Sequence, residues 1–154
     1  MSLSASFSTA EFNNYEIHQL TPERLALADR FYRSQGYKVK CAPNERVFAL
    51  IGTAGDWLGA VRLVAQSSGH YWLRNLLVAP EYRNRGLAGQ LLMQSRRAIF
   101  PKGCYCFALP HLTDFYKRSG FELAPAHCPA DIRAIYERYK SRGRDWVLMG
   151  YQQG

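Results

Sequence analysis

The sequence predicts a single α/β domain built on a mixed sheet (α+β). Three observations predict it: β-rich runs alternate with amphipathic runs along the chain, short hairpins join the strands in the middle, and a helical crossover follows them. Because hairpins join antiparallel strands and helical crossovers join parallel ones, the sheet must be mixed. A length of 154 residues is that of one ordinary domain.

The first half of the chain predicts a strand, a helix and then three more strands. Thr21 is expected to be the helix N-cap, Pro22 the first helical residue and Gly36 the residue that ends the helix. Turns around Gly55 and Gly69 separate the later strands. The four predicted strands cover residues 15–20, 47–51, 57–64 and 71–78.

The second half of the chain predicts three helices, with further strands between and after them. The order β-α-β-β-β-α-β-α-β-α-β also requires a short strand between the last two helices. The elements that can be delimited are a helix over 87–99, a strand over 104–109, a short helix over 112–119, a helix that begins at Pro129 and Asp131, and a strand over 146–149.

The composition is that of a globular protein without a membrane partner. Hydrophobic residues make up 47% and charged residues 21% of the chain, and no apolar run approaches the roughly 20 residues that cross a bilayer. We expect residues 1–13, which are polar and serine-rich, to form a flexible N-terminus ahead of one domain over 14–154. They lack the basic and apolar regions of a secretory signal, so a cytoplasmic protein is expected.

Four cysteines and a net charge of +8 raise the question of metal or nucleic-acid binding, but their arrangement argues against both. Cys104 and Cys106 point to one face of a strand, which suits neither a zinc site nor a disulfide. We therefore expect reduced thiols and no metal. The basic residues are dispersed apart from a run at the end of the last helix, and no nucleic-acid motif accompanies them.

The most informative segment is a glycine-rich loop between the fourth strand and the following helix. It contains Arg83, Arg85, Gly86 and Gly89, and it leads directly into the helix. Unpaired amides at a helix N-terminus attract anions, and small residues allow a phosphate to approach the backbone. The arginines add positive charge. This arrangement indicates a site for a diphosphate.

The pattern Arg83-x-x-Gly86-x-Ala88, entered through Leu76-Leu77-Val78, resembles the acyl-CoA-binding motif of the GNAT superfamily of N-acetyltransferases. A doubly wound nucleotide fold would instead carry its glycine-rich loop after the first strand. The resemblance implies the GNAT acyl-CoA N-acyltransferase fold, with splayed fourth and fifth strands that admit the pantetheine arm of acetyl-CoA. The implied cofactor-binding residues are Leu76, Leu77, Val78, Arg83, Asn84, Arg85, Gly86, Leu87, Ala88 and Gly89.

A second stretch of this chain resembles the family's helix after the fifth strand. It reads Leu112-Thr-Asp-Phe-Tyr116-Lys-Arg-Ser-Gly120-Phe121. The resemblance implies that Tyr116 is catalytic, as a general acid that protonates or hydrogen-bonds the leaving thiolate of CoA. Tyr32 and Gly36 repeat the same lettering, so packed aromatics before a glycine cap are the alternative explanation. Family members often carry an asparagine seven residues before the tyrosine, where this chain has Leu109.

No residue of the fourth strand is an obvious general base. Family members often place a glutamate or histidine at the positions of Trp72 and Arg74. Asn75 faces the other side of a regular strand unless a bulge shifts it, and His70 and His111 are interpreted as surface or packing residues. Proton removal through ordered water, or entry of a neutral amine, is the alternative. Arg74 instead indicates an acceptor site with a positive charge, suited to a carboxylate or phosphate.

Two functions are consistent with these features. The first is acetyl-CoA-dependent transfer of an acetyl group to a primary amine, by direct attack on the thioester and without a metal. The second is a catalytically degenerate CoA-binding regulatory protein, which the missing base favours. The sequence predicts no nucleic-acid partner, and it leaves open the identity of the acceptor and assembly as a homodimer.

Overall fold

The computed structural model describes residues 14–123 and 125–151, so the predicted flexible segment 1–13 lies outside the described residues. Within that part of the chain, seven strands form one mixed sheet. They are β1 (Tyr15–Gln19), β2 (Arg46–Gly52), β3 (Trp57–Ala65), β4 (Tyr71–Val78), β5 (Cys104–Ala108), β6 (Glu122–Leu123) and β7 (Val147–Tyr151).

The strands lie in the order β1-β2-β3-β4-β5-β7-β6. Every neighbouring pair is antiparallel except β4 and β5, which are parallel and joined by a helical crossover. The predicted mixed sheet and element order are therefore confirmed. The strand required between the last two helices is β6, whose two residues pair with β7.

Four α-helices are present in the described part of the chain: α1 (Leu25–Ser34), α2 (Leu87–Ile99), α3 (Thr113–Arg118) and α4 (Ala130–Ser141). The predicted N-cap Thr21 and first helical residue Pro22 are confirmed for the first turn, which is a 3-10 turn directly ahead of α1. Thr21 precedes a separate 3-10 turn, Pro22–Arg24, and its side chain makes no capping hydrogen bond. Arg24 has φ −104° and ψ 1°, outside the helical region, so the α-helix begins only after it.

Helices α1 and α3 both end at a glycine with a left-handed backbone. Gly36 has φ 89° and Gly120 has φ 93°, values that residues other than glycine rarely adopt. The repeated Phe-Tyr…Gly lettering therefore marks the same helix ending twice, as the sequence predicts.

Side chains alternate between the two faces of the sheet, and each face is covered by a different pair of helices. Leu63 and Leu73 pack with Leu91 of α2 and with Tyr116 of α3 on one side, here called the α2–α3 face. The opposite side, the α1–α4 face, is covered by α1 and α4. Its core contacts include Val47 and Ala49 with Leu25 of α1, and Tyr105 and Leu148 with Ile132 of α4. Each fully buried aliphatic side chain stabilises the fold by about 1.5–3 kcal/mol relative to an exposed one.

Two further features bear on the function classes considered above. No helix in the described ranges is long and apolar enough to cross a bilayer, and no group of three or more potential ligands there could hold a metal ion. All four cysteines are free. Burial raises the pKa of Cys104 to about 12 and that of Cys106 well above its usual value, so both are protonated thiols at neutral pH.

Candidate functional site

A cleft opens where β4 and β5 separate. The two strands pair only at Tyr71↔Cys104 and Trp72↔Tyr105, and they diverge beyond these positions, as the sequence predicts. The gap holds a cavity of about 320 Å³ with lining residues from both faces of the sheet. It is lined by residues 72–76, residues 106–109, Tyr37, Leu112, Tyr116 and Trp146.

A β-bulge at Asn75 interrupts β4 beside the cleft. The register between β3 and β4 shifts there, so that Asn75 and Leu76 together oppose Val61. Asn75 has a left-handed φ of 53°, which asparagine tolerates better than most residues. The bulge turns the Asn75 side chain toward Arg62 on the α1–α4 face, whereas a regular strand would place it on the other face.

A buried polar network holds this bulge in place. The Tyr32 hydroxyl donates a 2.7 Å hydrogen bond to the Asn75 carbonyl, and Nη1 of Arg62 donates a 2.8 Å bond to the Asn75 side chain. The same guanidinium donates two 2.8 Å bonds to Glu45, whose side chain is only 5% exposed. The bidentate geometry offsets the cost of burying both charges. No sequence spacing links Tyr32, Glu45 and Arg62, because they come from three separate segments, and the network was not predicted.

Tyr116 lies at the α2–α3 side of the cleft. Its ring packs on Phe115 and Phe121, with centroids 5.0 and 5.4 Å away, and the residue is 7% exposed. Its hydroxyl makes no hydrogen bond to any described residue. Burial raises the pKa of Tyr116 far above its usual value, so the phenol stays protonated at neutral pH. The hydroxyl is therefore available as a donor to a group that enters the cleft.

Aromatic side chains form the wall of the cleft on the α1–α4 face. The Trp72 ring lies 5.2 Å from Phe107 and 6.3 Å from Tyr139 of α4, between centroids. Tyr139 in turn lies 4.9 Å from Trp146, which also lines the cavity. These contacts fix an apolar, rigid surface next to the diverging strands.

Arg74 is the one cation among the cavity-lining residues of the described chain. Its guanidinium carbon lies 4.2 Å from the centroid of the Trp72 ring, a cation–π arrangement. Burial, and next the charge of Arg62, lower the pKa of Arg74. The guanidinium makes no ion pair or hydrogen bond with any described residue. A charged group is thus held in the cleft without an ion-pair partner among residues 14–123 and 125–151.

The glycine-rich loop continues from β4 into α2. Gly86 is the N-cap of α2, with φ 74°, and it has no side chain to cap the helix. The amides of Leu87, Ala88 and Gly89 have no helical carbonyl four residues earlier. A Cβ added at Gly86 or Gly89 would meet no atom within 4 Å, so the surface of the loop is open. The geometry is that of an anion site at a helix N-terminus.

The two loop arginines are held differently. Nε of Arg83 donates a 2.9 Å hydrogen bond to the carbonyl of Val78, the last residue of β4. Arg85 lies over the Tyr82 ring, with its guanidinium carbon 5.8 Å from the centroid. Arg83 therefore fastens the loop to the strand that borders the cleft, and this joins the two parts of the site.

The predicted cofactor-binding residues form one path from the cleft to the helix. Leu76 lines the cavity, Leu77 and Val78 complete the strand, and the stretch 83–89 forms the loop and first turn. His70 and His111 do not line the cavity, and its described lining contains no carboxylate or histidine.

Residues 43–123 match the family model described as the acetyltransferase (GNAT) domain. The matched segment contains β4, the glycine-rich loop, α2 and the helix of Tyr116. Because it covers more than half of the chain, the protein belongs to the GNAT acetyltransferase family. No curated protein matches the chain.

Solved structures share the fold at low sequence identity. The N-acetylglutamate synthase from Neisseria gonorrhoeae, in complex with coenzyme A and N-acetyl-glutamate, has a TM-score of 0.64 and 18% identity over 91% of this chain and 35% of that chain. This chain therefore spans about a third of the synthase's length. Escherichia coli ElaA has a TM-score of 0.63 and 15% identity, over 90% of this chain and 99% of that one. A chimera of the spermidine N-acetyltransferase SpeG from Vibrio cholerae and hSSAT has a TM-score of 0.61 and 15% identity, over 90% and 95%.

Proposed function

We propose that this protein transfers the acetyl group of acetyl-CoA to a primary amine, by direct attack of the amine on the thioester. One observation carries the proposal. β4 separates from β5, and the chain then continues from β4 through the loop to a helix N-terminus that has no side-chain cap. A pantetheine arm can pair with the free edge of β4 as an added strand, while the diphosphate binds the amides of α2. Membership of the GNAT family and the coenzyme A in the synthase structure support this cofactor.

The proposed donor site uses mostly backbone groups. Residues 76–78 present their strand edge to the pantetheine arm, and one amide of this stretch faces the thioester oxygen as an oxyanion donor. The loop from Arg83 to Gly89 surrounds the diphosphate, with glycines that let the phosphates approach and arginines that add charge.

We assign Tyr116 to the leaving sulfur. An alkyl thiol has a pKa of about 8.5, and burial holds the pKa of Tyr116 far above its own usual value. Net transfer of the phenolic proton to the thiolate would therefore be uphill. Donation of a hydrogen bond to the developing thiolate has no such cost, and it stabilises the charge where it forms. The general acid predicted from the sequence acts, in this proposal, mainly as a hydrogen-bond donor.

The incoming amine must lose a proton, because an alkylammonium has a pKa of about 10.4. The described lining of the cleft contains no carboxylate or histidine that could accept it, so we assign this proton to solvent water or to prior deprotonation of the amine. Attack is direct, since Cys104 and Cys106 are buried thiols and are not activated as nucleophiles.

The second candidate is a CoA-binding protein without turnover, and the base-free lining of the cleft is the observation that favours it. Release of the CoA thiol from acetyl-CoA, measured with a panel of amines, separates the two functions. We expect saturable release that requires both acetyl-CoA and an amine. Tight acetyl-CoA binding by calorimetry with no release from any amine would establish the non-catalytic alternative.

A further inference from the structure

Two arginines lie side by side on the α1–α4 face of the sheet, and in the described part of the chain only one of them forms an ion pair. Arg62 and Arg74 are cross-strand partners in β3 and β4. Arg62 is paired with Glu45, whereas Arg74 makes no ion pair within the described ranges. Like charges at directly opposed positions are unfavourable. An anion beside Arg74 would offset this repulsion.

The guanidinium of Arg74 is available to such an anion. Its central carbon lies over the Trp72 ring, 4.2 Å from the centroid, and its N–H groups make no hydrogen bond with any described residue. Those N–H groups match the two oxygens of a carboxylate in a bidentate pair. The surrounding wall is aromatic, so the charge lies in a poorly solvated environment where such a pair is stronger than in water.

The diphosphate of CoA is not the anion that this arrangement fits. The loop and the first turn of α2, which we assign to the diphosphate, belong to the α2–α3 face, as does Tyr116. Arg74 and Trp72 lie on the α1–α4 face, where Trp72 contacts Tyr139 of α4. Of these residues, Tyr116, Trp72 and Arg74 line the same gap in the sheet. The anion at Arg74 therefore belongs to the second substrate.

We propose that Arg74 binds a carboxylate of the acceptor, so that the substrate is a small primary amine of the amino-acid type. This inference rests on the proposed acetyltransferase function and specifies its acceptor. The cavity of about 320 Å³ must hold the acetylated end of the pantetheine arm as well as the part of the acceptor that enters it, and a small amine fits this space. The aromatic wall suits an apolar body between the amine and the carboxylate.

The test uses pairs of amines that differ only in the anionic group. CoA release is measured with L-phenylalanine against phenethylamine, with L-lysine against cadaverine, and with phosphoethanolamine against ethanolamine. For the first two pairs we expect kcat/KM to be at least about tenfold higher for the carboxylate-bearing member. Equal values within both pairs would overturn the inference, and preference only within the third pair would replace the carboxylate by a phosphate.

Variants locate the preference at Arg74. Arg74→Gln should raise KM for L-phenylalanine by about tenfold or more and should change KM for phenethylamine by a clearly smaller factor. Arg74→Lys keeps the charge but not the bidentate edge. Its KM for L-phenylalanine should therefore lie between that of the unmodified protein and that of Arg74→Gln. The matched control is Arg144→Gln, because Arg144 also stacks on a tryptophan, 5.2 Å from the Trp146 ring, but is exposed outside the cavity. An equal loss in Arg74→Gln and Arg144→Gln would overturn the inference.

A binding arm keeps this inference separate from the proposed function. Calorimetry on the CoA complex compares N-acetyl-L-phenylalanine with N-acetylphenethylamine, and needs no turnover. Carboxylate-dependent binding that is lost in Arg74→Gln supports the inference, whether or not any amine releases CoA. The absence of CoA release with every amine would reject only the proposed catalysis. Amine-dependent CoA release without any carboxylate preference supports the catalysis and rejects the inference.

Discussion

Replacement of Gly89 by glutamate should make the protein more stable and, at the same time, a poorer acetyl-CoA binder. Gly89 is the third residue of α2, its backbone is not left-handed, and a Cβ there would meet no atom within 4 Å. The side chain therefore fits without strain. A glycine in a helix costs about 1 kcal/mol relative to alanine, so a better helix former regains about 0.5 kcal/mol.

The charge adds to this gain. A carboxylate in the first turn of a helix contributes about 0.3–1 kcal/mol. The total of about 1 kcal/mol corresponds to a rise in Tm of roughly 2–4 °C for a domain of this size. A diphosphate on the same amides is repelled, however. At about 5 Å and an effective dielectric constant between about 20 and 80, one pair of unit charges costs about 1–3 kcal/mol, so we expect Kd for acetyl-CoA to rise at least about fivefold.

Gly89→Gln is the matched control, because it has the size and helix propensity of glutamate without the charge. Thermal unfolding and calorimetric titration with acetyl-CoA, both at low salt, measure the two effects. The difference in Kd between the two variants should shrink as ionic strength rises. If Gly89→Glu and Gly89→Gln bind acetyl-CoA equally well at low salt, the loop does not hold the diphosphate and the reasoning is wrong.

Three further predictions concern the cleft and the network beside it. Tyr116→Phe should lower kcat by about tenfold to a hundredfold. It should leave the acetyl-CoA KM and Tm unchanged, because no described residue loses a hydrogen bond. Steady-state kinetics that show equal effects on kcat and KM would contradict this prediction. Because burial raises the pKa of Tyr116, its proton is retained as pH rises, so kcat/KM should climb from pH 7 to about 10 as the acceptor amine deprotonates. A fall within that range that is absent in Tyr116→Phe would refute the assignment. Glu45→Gln should destabilise the fold by about 3–5 kcal/mol in urea unfolding, since Arg62 is then buried without a counter-ion; a loss below about 1 kcal/mol would show that water reaches the pair.

The sequence predicts the strand, glycine-rich loop and helix of the proposed donor site well, because their geometry depends on local pattern. An apolar strand, a turn rich in glycine and arginine, and an amphipathic helix are consecutive in the chain, and their backbone geometry follows from glycine and helix-end preferences. The structure places Leu76, Gly86 and the first turn of α2 in that geometry. Their contact with acetyl-CoA stays a prediction.

The polar network at the Asn75 bulge could not be predicted from pattern, because it is assembled from distant segments. The β-bulge at Asn75 has no local signal beyond the asparagine itself, and its partners Tyr32, Glu45 and Arg62 are separated from it in sequence. The predicted helix start at Thr21 gave the position of the first turn but not its 3-10 type. Favourable capping residues predict that a helix begins nearby, but the backbone at Arg24 decides where the regular helix starts.

The division of the cleft between two faces of one sheet has a consequence for how this fold can change. In the roles proposed above, Trp72 and Arg74 line the cleft on the α1–α4 face, while Tyr116 and the first turn of α2 belong to the opposite face. Substitutions in the aromatic wall can then exchange one acceptor for another without loss of the donor. The bulge at Asn75 links the two sets. It lies in β4 next to the residues whose strand edge is exposed in the cleft, and the Asn75 carbonyl is bound by Tyr32 of α1. The residues that contact the acceptor can therefore vary, whereas we expect substitutions in the Asn75 network to impair both parts of the site.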